Sequence, residues 1–366
     1  MAHIVYALSG QGRGHGSRVA AMAEELRRRG HRVTFACGGP ARERLVARGE
    51  AVVPVPALVQ CFRGNRLDLA ATVRVNAATV LRAPRIVADT ARALDALAPD
   101  LVVSDFEAFV PRAARRLGVP VVSLCRQEVL TETRYTLPAA HRAEATFVRT
   151  VVRALVPRLG VARRIVTSLV DAPLRRPGHT RLVGPIFRDA VEAAVPTLGE
   201  HVVAYLNVSR GLDATLAALA GARVPVRLYG VGPDDTAVRA PTLAFGPAAD
   251  DDAFLADLAS ARAVVSTAGF TLLSEALHLG KPVLALPNGG TFEQTFNALQ
   301  LERLGAGRAI YGRTPTSLDI RTFLQDRDTF SSPAAAVLGS GRLTAADEIA
   351  SCLAACRVPA SDSSRS

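Results

Sequence analysis

The chain has 366 residues, carries a formal net charge of +11, and is 49% hydrophobic and 21% charged. Its length is about twice that of a typical single domain, so two domains are expected, and its composition excludes a disordered or fibrous chain. No apolar run approaches the roughly 18 residues that span a bilayer, and five scattered cysteines exclude a disulfide framework.

In chain order, "HIVYAL" (3–8) reads as a buried strand. The glycine-rich stretch "SGQGRGHGSR" (9–18) follows, then a helix over 17–29 closed by Gly30, then the strand "HRVTFAC". Further strands read at "AVVPV", "LVVS", "PVVSL" and "RIVTS", with helices between them, the longest pattern running over 69–97. Near "RLVGPIF" (181–187) a Gly-Pro break marks a connector, and the alternation restarts with "HVVAYLNV", "PVRLYG", "TLAFG", "RAVVS", "PVLALP" and "GRAI". A last helix opens at the capping residue Thr344, and the polar tail "ASDSSRS" is expected to be disordered.

Twice-repeated βαβ alternation implies an α/β protein of two Rossmann-like, doubly wound domains. Their ligands are expected beyond the carboxyl ends of the strands, in a cleft that the two domains face. The expected division is a first domain over 1–185, a linker over 186–198, a second domain over 199–342, a helix over 343–356 and a tail over 357–366. The chain opens on a strand without a basic leader or cleavage site, so no secretion or targeting is expected. A cytoplasmic protein, or one peripheral at the inner face of the membrane, is the expectation.

Charge divides unevenly. Residues 1–185 hold 29 arginines and no lysine against 14 acidic residues, whereas residues 186–366 hold 15 basic and 19 acidic residues. A single lysine in the chain reflects arginine usage overall, but the imbalance between halves points to an anionic partner for the first. Nucleic acid is disfavoured, because no recognised binding motif accompanies the charge. Cys352 and Cys356, one helical turn apart and without histidine partners, read as two buried thiols rather than a metal site.

The opening loop fails as a dinucleotide fingerprint. That pattern needs G-x-G-x-x-G and an acidic residue ending the second strand. Here His15 or Ser17 stands at the third glycine position, and the second strand ends "FACGG".

The second half carries the better nucleotide signal. "RAVVSTAGFTLLSEALHLGKPVLALP" is a strand, a turn, a helix and a strand. Ala268, Gly269, Phe270 and Thr271 lie where a helix N-terminus opens, and such amides favour phosphate oxygens. Glu275, one to two turns further, is placed to accept both ribose hydroxyls. Glu293, Gln294 and Asn297 open the next helix with groups suited to sugar hydroxyls. Phe245, in "TLAFGPA", is expected near the base, and Ser209 or Arg210 of "NVSRG" near the diphosphate.

Residues 264–305 resemble the donor-binding segment of inverting GT-B glycosyltransferases, above all MurG-like enzymes and the UDP-glycosyltransferases. There a "G-x-x-x-x-E" helix precedes a proline, a "DQ" or "EQ" pair, and "NA". "GxGRGHGSR" and "DLVVSDFEAF" resemble a largely uncharacterised bacterial and archaeal branch of that group. The resemblance implies that the first loop carries the acceptor's general base, which makes His15 the matching residue. It implies that Asp105 hydrogen-bonds that histidine, and Glu107 is a second candidate base. Gly12, Arg13, Gly14 and Gly16 form the acceptor-side loop. Retaining GT-B enzymes commonly carry a second glutamate eight positions before the ribose ligand, and Thr267 stands there. Lys281, in "LGKP", reads as a surface turn residue rather than a cofactor lysine.

The resemblance therefore implies single-displacement transfer with inversion from a nucleotide diphosphate sugar, most simply a UDP-sugar, to an acceptor hydroxyl. Neither a metal nor another cofactor is expected. The acceptor is open, with an anionic or lipid-linked molecule and peripheral membrane contact as expectations from the charge. Same-fold UDP-sugar 2-epimerase chemistry and a non-catalytic nucleotide-sugar-binding protein are the alternatives.

Overall fold

The computed structural model describes residues 1–10, 13–63, 66–158, 160–207, 211–247, 250–330 and 338–357, with the side chains of 13–15, 66 and 357 outside the described set. The chain forms two compact units. Unit 1 comprises residues 1–60, 70–187 and 340–366; unit 2 comprises 61–69 and 188–339.

The sheet of unit 1 contains β1 (His3–Leu8), β2 (Arg32–Cys37), β3 (Val52–Pro54), β6 (Leu101–Asp105), β7 (Val121–Leu124), β8 (Val161–Thr167) and β9 (Thr180–Val183). All pair in parallel in the order β3-β2-β1-β6-β7-β8-β9. The intervening helices are α1 (Arg13–Arg28), α2 (Gly39–Ala47), α3 (Leu69–Leu81), α4 (Ala83–Leu97), α5 (Val110–Arg116), α6 (Val129–Glu132) and α7 (Arg142–Leu155). β1 is central and wholly buried, and its side chains divide by the period of two. Ile4, Tyr6 and Leu8 pack with Met22 and Leu26 of α1, while Val5 and Ala7 pack with Val87 and Leu94 of α4.

The last helix (Arg342–Arg357) belongs to unit 1. Its Ile349 and Leu353 join the core cluster of α1, and Asp347 and Glu348 pair with Arg29 and Arg163, both at 2.7 Å. Burial of those two apolar side chains alone is worth about 3–6 kcal/mol as an upper estimate, comparable with the net stability of a whole domain. The helix is therefore integral to this unit. It begins at Arg342, so Thr344 lies inside it and does not cap it.

Unit 2 holds a six-stranded parallel sheet of β10 (Val202–Tyr205), β11 (Val226–Tyr229), β12 (Leu243–Phe245), β13 (Ala263–Ser266), β14 (Val283–Ala285) and β15 (Gly307–Ala309). The order is β12-β11-β10-β13-β14-β15. Its helices are α8 (Asp189–Ala193), α9 (Leu212–Gly221), α10 (Asp251–Ser260), α11 (Phe270–His278), α12 (Phe292–Arg303) and α13 (Ser317–Gln325). Val202, Ala204 and Leu228 pack one face against Leu216, Leu219 and Phe323.

The antiparallel hairpin of β4 (Phe62–Arg63) and β5 (Arg66–Leu67) also belongs to unit 2, and a Cβ at Gly290 would stand 3.4 Å from the Leu67 amide. Two-residue strands leave no periodic signal, so this excursion is absent from the expected division.

Several expectations are corrected here. Thr180–Val183, just before the Gly-Pro break and not among the expected strands, form the edge strand β9. The helical pattern over 69–97 breaks at Arg82 into α3 and α4, because Pro84 opens a new helix. Cys352 is only half-buried and Cys356 is exposed. Lys281 is buried, not a surface residue, and its ammonium donates to the Thr197 carbonyl at 2.5 Å. Among the described residues no helix is long and apolar enough to cross a membrane.

Candidate functional site

In each sheet the strand order reverses once, between β1 and β6 and between β10 and β13. Loops at the carboxyl ends of strands flanking such a reversal form the ligand crevice of open α/β sheets. Both motif clusters fall at these points.

In unit 2, β13 runs into the turn Thr267–Gly269 and then α11. Ala268 is fully buried and left-handed, with φ +58°, a conformation costing about 1–3 kcal/mol for a residue with a side chain. Its amide donates to Ser266 Oγ at 3.2 Å, and its carbonyl accepts from Asn297 Nδ2 at 3.0 Å. Gly269, exposed at the start of α11, brings no side chain to the helix N-terminus, and a Cβ there would meet nothing within 4 Å. The N-cap position itself therefore supplies no side-chain oxygen to the positive end of the helix dipole.

Glu275 is 5% exposed, yet its carboxyl accepts no hydrogen bond among the described residues. Burial pushes it up to about 7, with Arg188 opposing the shift and Asp251 adding to it. Arg188 itself donates to Asp251 at 3.3 Å. A desolvated carboxyl without donors among the described residues is costly to the fold.

The neighbouring loop is held from α12. Gln294 Oε1 accepts from the Asn288 amide at 2.8 Å, and Asn288 Nδ2 donates to the Asn207 carbonyl at 3.1 Å. Glu293 and Gln294 are half-buried in the first turn of α12, and Phe245, half-buried at the end of β12, lies 5.9 Å from the Arg239 guanidinium across its ring face.

Asn297 is fully buried and donates from Nδ2 to the Ala268 carbonyl, so it supports the strained turn. Asn297→Ala is expected to destabilise the protein by about 1–3 kcal/mol, read as a lowered midpoint of denaturant unfolding, by leaving that carbonyl without its donor.

In unit 1, the Ser9 amide following β1 donates to the Asp105 carbonyl at 3.1 Å. Gly10 is required by close packing, since a Cβ there would stand 2.5 Å from Ala57 Cβ and 2.7 Å from the Gly38 carbonyl oxygen. α1 begins at Arg13, four residues before the expected start, so His15 stands in its first turn and not in an open loop. Only the backbone of Arg13, Gly14 and His15 is described. At Gly16 a Cβ would meet nothing, so sterics do not demand that glycine.

Asp105, expected to hold the histidine, is completely buried and gripped by Arg18 of α1. Arg18 Nη2 lies 2.7 Å from both carboxylate oxygens and Nε 3.0 Å from Oδ2. Burial opposes the Arg18 charge, but the Asp105 carboxylate outweighs it and holds the guanidinium above its ordinary value. Arg18 is the residue that sequence reasoning missed. Its signal is a buried acid on β6, which needs a cation, and an arginine three positions after His15 on the same helix.

Glu107, the second candidate base, has a structural duty. Its carboxyl caps α5, accepting from the Phe109 amide at 2.8 Å and the Val110 amide at 2.5 Å. Burial raises it to about 7 against the pull of those amides. Phe106, between the two acids, is left-handed at φ +56°, so both switch-point turns carry a strained residue that is not glycine. Gly12, Ser209 and Arg210 lie outside the described residues.

Two doubly wound parallel-sheet units, each with its polar cluster at the strand-order reversal, make up the GT-B architecture. The chain belongs to glycosyl transferase family 1, whose signature spans residues 2–326. It is similar to an uncharacterized glycosyltransferase of Methanosarcina acetivorans, 25% identical over 343 residues, which cover 85% of this chain and 86% of the relative. Its fold resembles that of CalG4, the calicheamicin glycosyltransferase, with a TM-score of 0.67 and 20% identity over 98% of this chain and 99% of that one. MurG of Acinetobacter baumannii superposes with a TM-score of 0.61 and 17% identity over 96% and 100% of the two chains.

Proposed function

We propose that this glycosyltransferase transfers a sugar with inversion from a nucleotide diphosphate sugar, with UDP as the nucleotide, to an acceptor hydroxyl deprotonated by His15. The observation that carries the donor half is Glu275, a buried carboxyl with no hydrogen-bond donor among the described residues, on a helix whose N-cap residue is the glycine Gly269. A ribose offers two hydroxyl donors to such a carboxylate, and a diphosphate matches the helix N-terminus. On leaving, the diphosphate gains negative charge, which the fixed dipole of α11 stabilises without reorganisation. Gln294 has its carbonyl oxygen committed to Asn288, so its amide hydrogens are the part available to a sugar hydroxyl.

The acceptor half rests on the placement of His15 in the first turn of α1. Imidazole is the side chain whose ordinary titration range lets it take a proton near neutral pH, which suits a general base. For the acceptor itself, the 13-residue helix α3 is informative. Asn76 is its one buried residue, while Leu69, Val73, Val75, Val80 and Leu81 are exposed. With the arginine excess of residues 1–185, this favours an acceptor that is part apolar and part anionic, as a lipid-linked molecule is.

Thermal shift against a panel of nucleotides tests the reading. UDP at one hundred times its dissociation constant should stabilise the protein by about 2.7 kcal/mol. A shift with GDP or dTDP and none with UDP would overturn the nucleotide assignment. No shift with any nucleotide diphosphate would overturn the donor site.

A further inference from the structure

We propose a phosphate-binding pocket in unit 1, at the sheet edge opposite Asp105, formed by Arg115 and Arg116 over a surface cavity of about 300 Å³. It goes beyond glycosyl transfer and does not depend on the donor site. The cavity is lined by Arg112, Arg115, Arg116 and Pro157, without a carboxylate. α5 leads from the carboxyl end of β6 back to the amino end of the parallel strand β7, so its last turn lies at the amino edge of the sheet.

Arginines in a last helical turn usually answer the negative end of the dipole. Here Arg112 fills that role for α7, donating to the carbonyls of Ala154 at 2.7 Å and Leu155 at 2.9 Å at its end, and also to Ala108. Arg115 and Arg116 are left over. Both are exposed, and neither side chain makes a hydrogen bond or ion pair among the described residues. The Arg115 stem passes close over Gly160, where a Cβ would come within 2.9 Å of its Cδ. Arg158, next to Pro157, is likewise exposed and without such a partner among the described residues.

Like charges gathered at a concave surface repel one another unless an anion neutralises them, and two planar guanidinium groups match the oxygens of a phosphate bidentately. The phosphate is either a free phosphate compound or an anionic lipid headgroup, and the chemistry of recognition is the same for both. The site accounts for part of the arginine excess that the buried ion pairs of unit 1 do not absorb.

The test compares the full-length protein with an Arg115→Gln/Arg116→Gln double variant, which keeps much of the apolar stems. Inorganic pyrophosphate is titrated calorimetrically at low salt with saturating UDP present, and co-sedimentation is measured with phosphatidylglycerol/phosphatidylcholine vesicles. A free-phosphate source predicts pyrophosphate binding that is at least tenfold weaker in the variant. A lipid source predicts no pyrophosphate binding, but vesicle binding that the variant loses at least tenfold. Either result supports the pocket, and both should weaken as salt rises past 0.1 M, where screening falls within about 10 Å. Indistinguishable behaviour of the two proteins in both assays would overturn it. UDP binding is read separately, so failure of the donor reading leaves the comparison intact.

Discussion

His15→Ala is expected to lower kcat by roughly 10²–10⁴-fold, the usual worth of a positioned general base, while UDP affinity stays near that of the native protein. The separation follows from where the groups stand: His15 opens α1 in unit 1, and Glu275 and the α11 N-terminus belong to unit 2. The pH profile of kcat/KM should show an acidic limb that the variant lacks. Equal losses of turnover and UDP affinity would instead assign the α1 start to phosphate binding or folding, and full activity would remove His15 from the mechanism. Asp105→Asn cannot serve as the companion test it would be in an isolated His-Asp pair. Replacing the carboxylate by an amide removes the charge paired with the buried Arg18 guanidinium, and breaking a buried ion pair costs about 3–5 kcal/mol. A loss of activity in that variant therefore has to be read against its unfolding midpoint.

The parallel strands are legible in the sequence because a sheet covered on both faces demands unbroken apolar runs, as in "HIVYAL" and "RAVVS". Helix starts are less so. Gly14 and Gly16 argue against helix by propensity, about 1 kcal/mol each relative to alanine, yet α1 begins at Arg13. Tertiary packing of Val19, Met22 and Leu26 outweighs that cost. Lys281 departs from expectation because a charged residue in a Gly-Pro turn is normally solvated, and only the fold brings the Thr197 carbonyl to it. At the site, the spacing from Gly269 to Glu275 is visible, since both lie on one turn and one helix. The duty of Asn297 is not, because sequence cannot distinguish an amide facing a ligand from one bonded to a backbone carbonyl 29 positions away. Arg18 escapes notice for the same reason, its partner lying 87 positions further on.

Glu275→Gln is expected to weaken UDP binding by at least tenfold, because a hydrogen bond to a charged acceptor is worth about 1.5–3 kcal/mol and two ribose hydroxyls would lose that acceptor. The same change should leave the free protein as stable as before or more so. The native carboxyl is buried without donors among the described residues, and its value is raised to about 7, above that of the unfolded chain. A raised carboxyl contributes stability in full below its unfolded value and loses it as pH climbs through the folded one. The native protein should therefore lose stability between about pH 4.5 and 7 through this group, and the glutamine variant should lose less. Ribose hydroxyls donate to the ionised form, so UDP affinity should rise as pH passes through 7, with proton release visible as a buffer-dependent binding enthalpy. Glu107, raised to about the same value, titrates in the same window but stays with α5, so the Glu107 contribution persists in the Glu275→Gln protein. An unchanged UDP affinity in the variant, or a binding enthalpy independent of buffer around pH 7, would remove Glu275 from the ribose site and leave its burial without a function.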